Sequence, residues 1–244
     1  MSKIRIYIEP QNIENLVEIR NKEIIHKIKD VLRLKENDNI YVFDGKGKEY
    51  LYIIKGINSK SILIKKRKKE KDEFLPQVRV FLGFPVIRKE KIDFILQKAT
   101  ELGVDGFIPF ICARSLPLKS LESKLRRWEK IVREAVRQCG RLWIPQIYRV
   151  LRFEEIIHQE FSLKLAASIE GENPQDVLVK KAKDILVVVG PEGDFTSCEF
   201  EELKKAQFKF IKLSKHILRT ETAAIFAGGL ITQIITEKYT DGHR

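Results

Sequence analysis

From Val78 onward, apolar strand patterns alternate with helical ones, and no other feature limits the fold of this chain so tightly. VRVFLGF (78–84) reads as a buried strand. Ile92, Ile95, Leu96, Ala99 and Leu102 then recur at helical spacing, and Gly103 stops that helix. VDGFIPFI (104–111) is a second strand, followed by a helix over 121–139 that closes before Pro145. LKLAASI (163–169) and the strongly apolar DILVVVG (184–190) are further strands. Thr196 with Glu199 three residues later makes a capping box for a helix running to about Gln207. KFIKLS (209–214) is the last strand, and 220–238 is a long apolar helix. Strands that alternate with helices pair in parallel through crossovers, which predicts an α/β layer fold. On pattern alone the sheet is unknotted and doubly wound, because threaded chains are very rare.

The front of the chain differs. Residues 1–64 are β-rich, with IRIYIE, NIYVFDGKGKEYLYIIKGI and SILIKK as strand segments and one helical stretch over 26–34. Asp44-Gly45-Lys46-Gly47 marks a hairpin, since glycine supplies the positive φ of the turn. A small barrel or sandwich fits. The charged run KKRKKEKDE (65–73) is the best boundary, as a linker or solvated strand end, which divides the chain into 1–70 and 71–244.

Charge speaks to partners. Lys and Arg number 46 against 34 Asp and Glu, a net charge of +12. Such an excess points to a polyanion, and nucleic acid is favoured over membrane because no cationic amphipathic segment lies at either end. No apolar stretch is long enough to span a bilayer and the first residues lack a signal-peptide core, so a cytoplasmic protein is expected. Cys112, Cys139 and Cys198 fit no zinc or redox spacing and read as small buried hydrophobes. His26, His158, His216 and His243 are scattered, so no metal site is predicted.

Three segments carry chemistry. Gly190-Pro191-Glu192-Gly193-Asp194 follows an apolar strand and precedes a capped helix, where open parallel sheets bind ligands. It is neither a Walker loop nor a dinucleotide fingerprint, and Glu192 suits a cationic or hydroxyl-bearing ligand better than a phosphate. LSKHILRTETAAIFAGGL (213–230) sets Arg219 just before the last helix, with Thr220 as its cap and Glu221 at its positive end. Gly228 and Gly229 inside that helix call for a close neighbour, a packed helix or a second subunit. In RRWEKIVREAVRQCGR, Arg126, Lys130, Arg133, Arg137 and Arg141 form one stripe, opposite Leu125, Trp128, Val132, Ala135, Val136 and Cys139. A stripe of five cations suits RNA or subunit contact.

QKATELGVDGFIPF, the Ala113-Arg114-Ser115 triplet, RRWEKIVREAVRQCGR, VVVGPEGDF and ILRTETA occur in the order in which they stand in the RsmE family, and the chain resembles that family over 78–237. Asp194 and Ser214 stand where the family commonly has glycine. The resemblance implies a SPOUT fold, a trefoil-knotted parallel sheet with helices on both faces, preceded by a PUA-like β-barrel. It implies S-adenosylmethionine-dependent methylation of a uridine at N(3) in small-subunit ribosomal RNA, by a homodimer acting on free RNA or an assembled subunit. Ribose 2′-O-methylation, or RNA binding without catalysis in ribosome assembly, are the competing functions. The implied cofactor loops are 165–170, 190–194 and 213–220, with Leu165, Ser168, Glu170, Gly190, Pro191, Glu192, Gly193, Leu213, Ile217, Leu218 and Thr220 as binding residues. Arg219, Arg114 and Glu221 are the expected catalytic residues. Lys65, Lys66 and Arg67 join the helical stripe as expected RNA contacts.

Overall fold

The computed structural model describes residues 3–117, 121–178 and 182–240. The chain separates into two compact units, Met1–Leu75 with Val136–Ile144, and Pro76–Ala135 with Pro145–Arg244.

The first unit holds β1 (Arg5–Tyr7), β2 (Leu16–Ile19), β3 (Asn39–Phe43), β4 (Lys48–Ile57) and β5 (Ile62–Asp72) in one sheet of order β1-β3-β4-β5-β2. β1 and β3 are parallel and the other neighbours antiparallel. Ile28, Ile40, Val42, Tyr52, Ile54, Ile62 and Ile64 bury its core completely. The Asp44–Gly47 hairpin forms as the sequence predicts: Asp44 Oδ1 accepts from the Lys46 and Lys48 amides at 2.7 and 2.9 Å, and Gly45 and Gly47 have φ of 69° and 96°. The helical stretch is shifted from its expected place. Asn21 accepts from the Ile24 amide and starts α1 (Lys22–His26), which passes into a π-turn over Lys27–Val31. The charged run is a strand rather than a linker: Lys65 to Asp72 extend β5 in register with β4, and the division falls after Leu75. Charge masked the strand because its side chains need only water on the open face.

The second unit contains β6 (Arg79–Pro85), α2 (Lys89–Glu101), β7 (Gly106–Ile111), α3 (Leu121–Cys139), β8 (Gln146–Ile147), β9 (Leu151–Arg152), α4 (Phe153–Ile157), β10 (Leu163–Glu172), α5 (Pro174–Val177), β11 (Asp184–Val188), α6 (Ser197–Lys205), β12 (Lys209–Ile211) and α7 (Thr220–Thr240). The last residues of α3 count with the first unit. The sheet is parallel, of order β12-β10-β11-β6-β7-β8, with β9 also on β7. β11 lies at its centre, and Ile185, Leu186, Val187 and Val188 are buried, each worth about 1.5–3 kcal/mol of apolar transfer. The capping box of α6 is present: Thr196 Oγ1 accepts from the Glu199 amide, and Glu199 Oε2 accepts from the Thr196 amide at 2.8 Å. β2, β8, β9, α4 and α5 are too short to show a period.

Glycines 228 and 229 need no second subunit. A Cβ on Gly228 would lie 2.7 Å from Val104 Cγ2, and one on Gly229 would lie 2.9 Å from Leu102 Cδ1. They let α7 pack against α2 and the turn that follows it. Two other expectations change. Leu102 is 46% exposed rather than on the core face, and of the cysteines only Cys112 is buried, Cys139 and Cys198 being exposed. His243 lies outside the described residues.

Candidate functional site

The carboxyl ends of β10, β11 and β12 meet the start of α7, and between them lies a cavity of about 530 Å³. Its walls come from three separate stretches: Ala167, Ser168 and Ile169; Val189 to Asp194; and Leu213, Ser214 and His216 to Thr220, with Ala223. Sheet geometry makes the first wall. Ile211 of β12 pairs with Ala167 and again with Glu172, so the β10 segment between them bulges out of register. Gly171 permits that bulge, since a Cβ there would lie 2.4 Å from the Ile211 carbonyl carbon.

The second wall is a tight turn. The Asp194 amide donates to the Pro191 carbonyl at 3.0 Å, and Gly193 and Asp194 both have positive φ, 83° and 65°. Asp194 tolerates this conformation because its short carboxylate accepts locally, from the Phe195 amide at 2.8 Å. That carboxylate is tucked under Gly190, where a Cβ would be 2.6 Å from Asp194 Oδ1. Burial pushes the Asp194 carboxyl above its ordinary range, against the pull of the Phe195 amide and Arg114.

The third wall runs into α7. The Ala223 amide donates to the Arg219 carbonyl at 2.8 Å, so Arg219 occupies the cap position and Thr220, only 4% exposed, is the first helical residue rather than the cap. Ile217 stands 90% exposed at the cavity lip.

The structure brings Ser168, Gly190, Pro191, Glu192, Gly193, Leu213, Ile217, Leu218, Arg219 and Thr220 together around one space. Leu165 and Glu170 are not on it. Leu165 is fully buried in the sheet, the third residue of β10, paired with Val187. Glu170 is exposed, its amide donating to Ser168 Oγ at 3.3 Å. Arg114 stands behind the turn. Its guanidinium donates to the Gly193 and Asp194 carbonyls, the second at 3.1 Å. The loop that carries it is held by Glu199, whose Oε1 accepts from the Ala113 amide at 2.8 Å.

Sequence reasoning missed Lys91. From the first turn of α2 its ammonium pairs with Glu192, and it lies 3.2 Å from Glu221 Oε2. Glu192 is held below the ordinary carboxylate range, first by this bond, and Lys91 is raised in turn by Glu192 and then Glu221. Nothing in the run Arg88-Lys89-Glu90-Lys91 distinguishes this lysine from its neighbours. The expected RNA contacts lie elsewhere. Lys65 and Arg67 are exposed on β5, and the Lys66 ammonium sits 4.7 Å over the Tyr50 ring. On α3, Arg126 and Lys130 are exposed and Arg133 and Arg137 half-buried, with Arg141 half-buried just beyond the helix end.

Comparison with known proteins follows the same division. The RNA methyltransferase domain family matches residues 74–232, and the RNA methyltransferase PUA domain family matches residues 20–67. The chain is 32% identical over 230 residues to ribosomal RNA small subunit methyltransferase E of Rickettsia conorii, covering 91% of this chain and 92% of that one. It is 31% identical over 220 residues to the Bacillus subtilis protein of the same name, covering 84% and 85%. Among solved structures, ribosomal RNA small subunit methyltransferase E of Neisseria gonorrhoeae, bound to S-adenosyl methionine, superposes with a TM-score of 0.87 at 28% identity, over 96% of this chain and 98% of that one.

Proposed function

We infer what this chain does from what it is: it belongs to the RsmE family of RNA methyltransferases. It transfers a methyl group from S-adenosylmethionine to ribosomal RNA of the small subunit, and the acceptor is N(3) of a uridine. One observation carries the reading. The bulge in β10 and the segments that follow β11 and β12 line a single cavity, of a size usual for cofactor sites. The residues fit this donor: Ile169, Leu213 and Leu218 offer apolar surface, and Glu192, its carboxylate shared with Lys91, adds no cation to repel a positively charged ligand.

Bound there, S-adenosylmethionine supplies a methyl group on a positively charged sulfur, open to in-line displacement. The chain's own residues do the rest. Gly190 and Gly193 let the backbone approach the ligand, and Arg114 fixes their turn through its carbonyls. A uracil imino nitrogen becomes nucleophilic when its proton leaves, and negative charge then spreads to the ring oxygens. Arg219, exposed at the lip of the cavity, stabilises that charge. Glu221, on the first turn of α7, accepts the proton or orients the arginine.

Lys65, Lys66 and Arg67 and the α3 stripe hold the RNA backbone, which positions the substrate without reading its sequence. The target is an unpaired base, because pairing hides the imino edge. The enzyme works in the cytoplasm as a homodimer with a knotted cofactor loop; no helix among the described residues is long and apolar enough to cross a membrane, and Phe226 on α7 is 44% exposed, as a subunit contact requires. Nucleoside mass spectrometry of small-subunit RNA treated with the protein and labelled donor tests the reading. It should yield N(3)-methyluridine; label in a 2′-O-methyl nucleoside, or none, would overturn it.

A further inference from the structure

The cavity walls come from elements far apart in the chain, and one side chain spans two of them. Lys91 reaches from α2 to Glu192, on the turn after β11, and to Glu221, on the first turn of α7. Lys91 and Glu221 keep 23% and 14% of their side-chain surface, whereas Glu192 keeps 63%. Glu221 Oε2 is itself buried and accepts no hydrogen bond among the described residues, so the nearby ammonium is what offsets its charge. Without that ammonium, the carboxylates of the 190–194 turn and of α7 lose the cation they share.

We propose that Lys91 is a positioning residue for methyl transfer, which ties the 190–194 turn to the start of α7 and so fixes the spacing of the two elements that wall the donor cavity. The proposal rests on the reading that this cavity binds S-adenosylmethionine. Lys91 acts through the two glutamates. A lysine suits the task because its compact ammonium offers several donors from one point.

The test is a thermodynamic cycle on the full chain, read by calorimetric titration with S-adenosylmethionine. Thermal melts of each variant confirm folding. Lys91→Met should weaken donor binding about tenfold, within the usual range for coupled charges. Lys91→Arg should restore most of the loss, because it restores the cation. Glu192→Gln added to Lys91→Met should cost less than the two single losses combined, because the unpaired carboxylate is gone. A side chain that merely packs would give additive losses and no rescue by arginine, and that result would overturn the proposal. Unchanged donor binding in Lys91→Met would overturn it as well while leaving the functional reading intact. A wild-type protein that binds no donor would remove the functional reading first.

Discussion

At the scale of single residues, the two arginines of the site are engaged differently. Arg114 spends its guanidinium on backbone carbonyls, while Arg219 lines the cavity with no side-chain hydrogen bond among the described residues. Arg219→Ala should therefore cut single-turnover rate by about 100-fold or more, in the range of a lost charge-stabilising donor, while donor affinity by calorimetry changes little. Equal losses in both would remove its catalytic role. Asp194 gives a pH-dependent prediction. Its carboxyl is raised by burial, so the fold favours the neutral form and loses stability as pH climbs from the ordinary aspartate range through the raised value. Asn keeps the acceptor for the Phe195 amide and tolerates positive φ. Asp194→Asn should raise the melting temperature more at pH 8 than at pH 4; a gain that does not vary with pH would contradict this account. Sequence made the turn residues visible because glycine and proline mark turns directly. Lys91 stayed hidden because its role depends on two carboxylates 101 and 130 positions away, and no local pattern encodes that.

At the scale of elements, sequence legibility followed length. α2, α3 and α7 appear within a few residues of their expected spans, since each repeats its apolar period several times. β8 and β9, of two residues each, carry no period at all. β5 was obscured by its own charge. The capping box of α6 was legible, but its second task was not: Glu199, 7% exposed, also accepts from the Ala113 amide and so connects the helix to the Arg114 loop. Glu199→Ala should destabilise the protein by about 1–3 kcal/mol in urea denaturation, from a lost cap and an orphaned amide. A change within error would show that water replaces the carboxylate. Gly103 closes α2 at φ 100°, with Thr232 Cγ2 2.8 Å from where a Cβ would stand. Gly103→Ala should cost more than about 1 kcal/mol by the same measurement, and a neutral result would mean that the turn readjusts.

At the scale of the whole molecule, the chain combines a net charge of +12 with an open-mouthed cavity, and these two features are suited to different work. On the proposed function, charge draws the RNA and the cavity performs the chemistry. Neutralising Arg126, Arg133 and Arg137 together should lower the slope of log affinity against log salt by about 2 for a single-stranded target, and an unchanged slope would take the α3 stripe out of the RNA surface. The α/β layer class was legible because alternating patterns leave few topologies. Strand order was not, since β10 and β11 lie on the far side of β6 from β7 and no periodicity reports that. On the proposed function, residues 167–169, 190–194 and 213–220 close on one methyl donor. Amide hydrogen exchange with and without S-adenosylmethionine tests it most directly. All three segments should slow together at saturating donor; protection of one alone, or of none, would contradict the account.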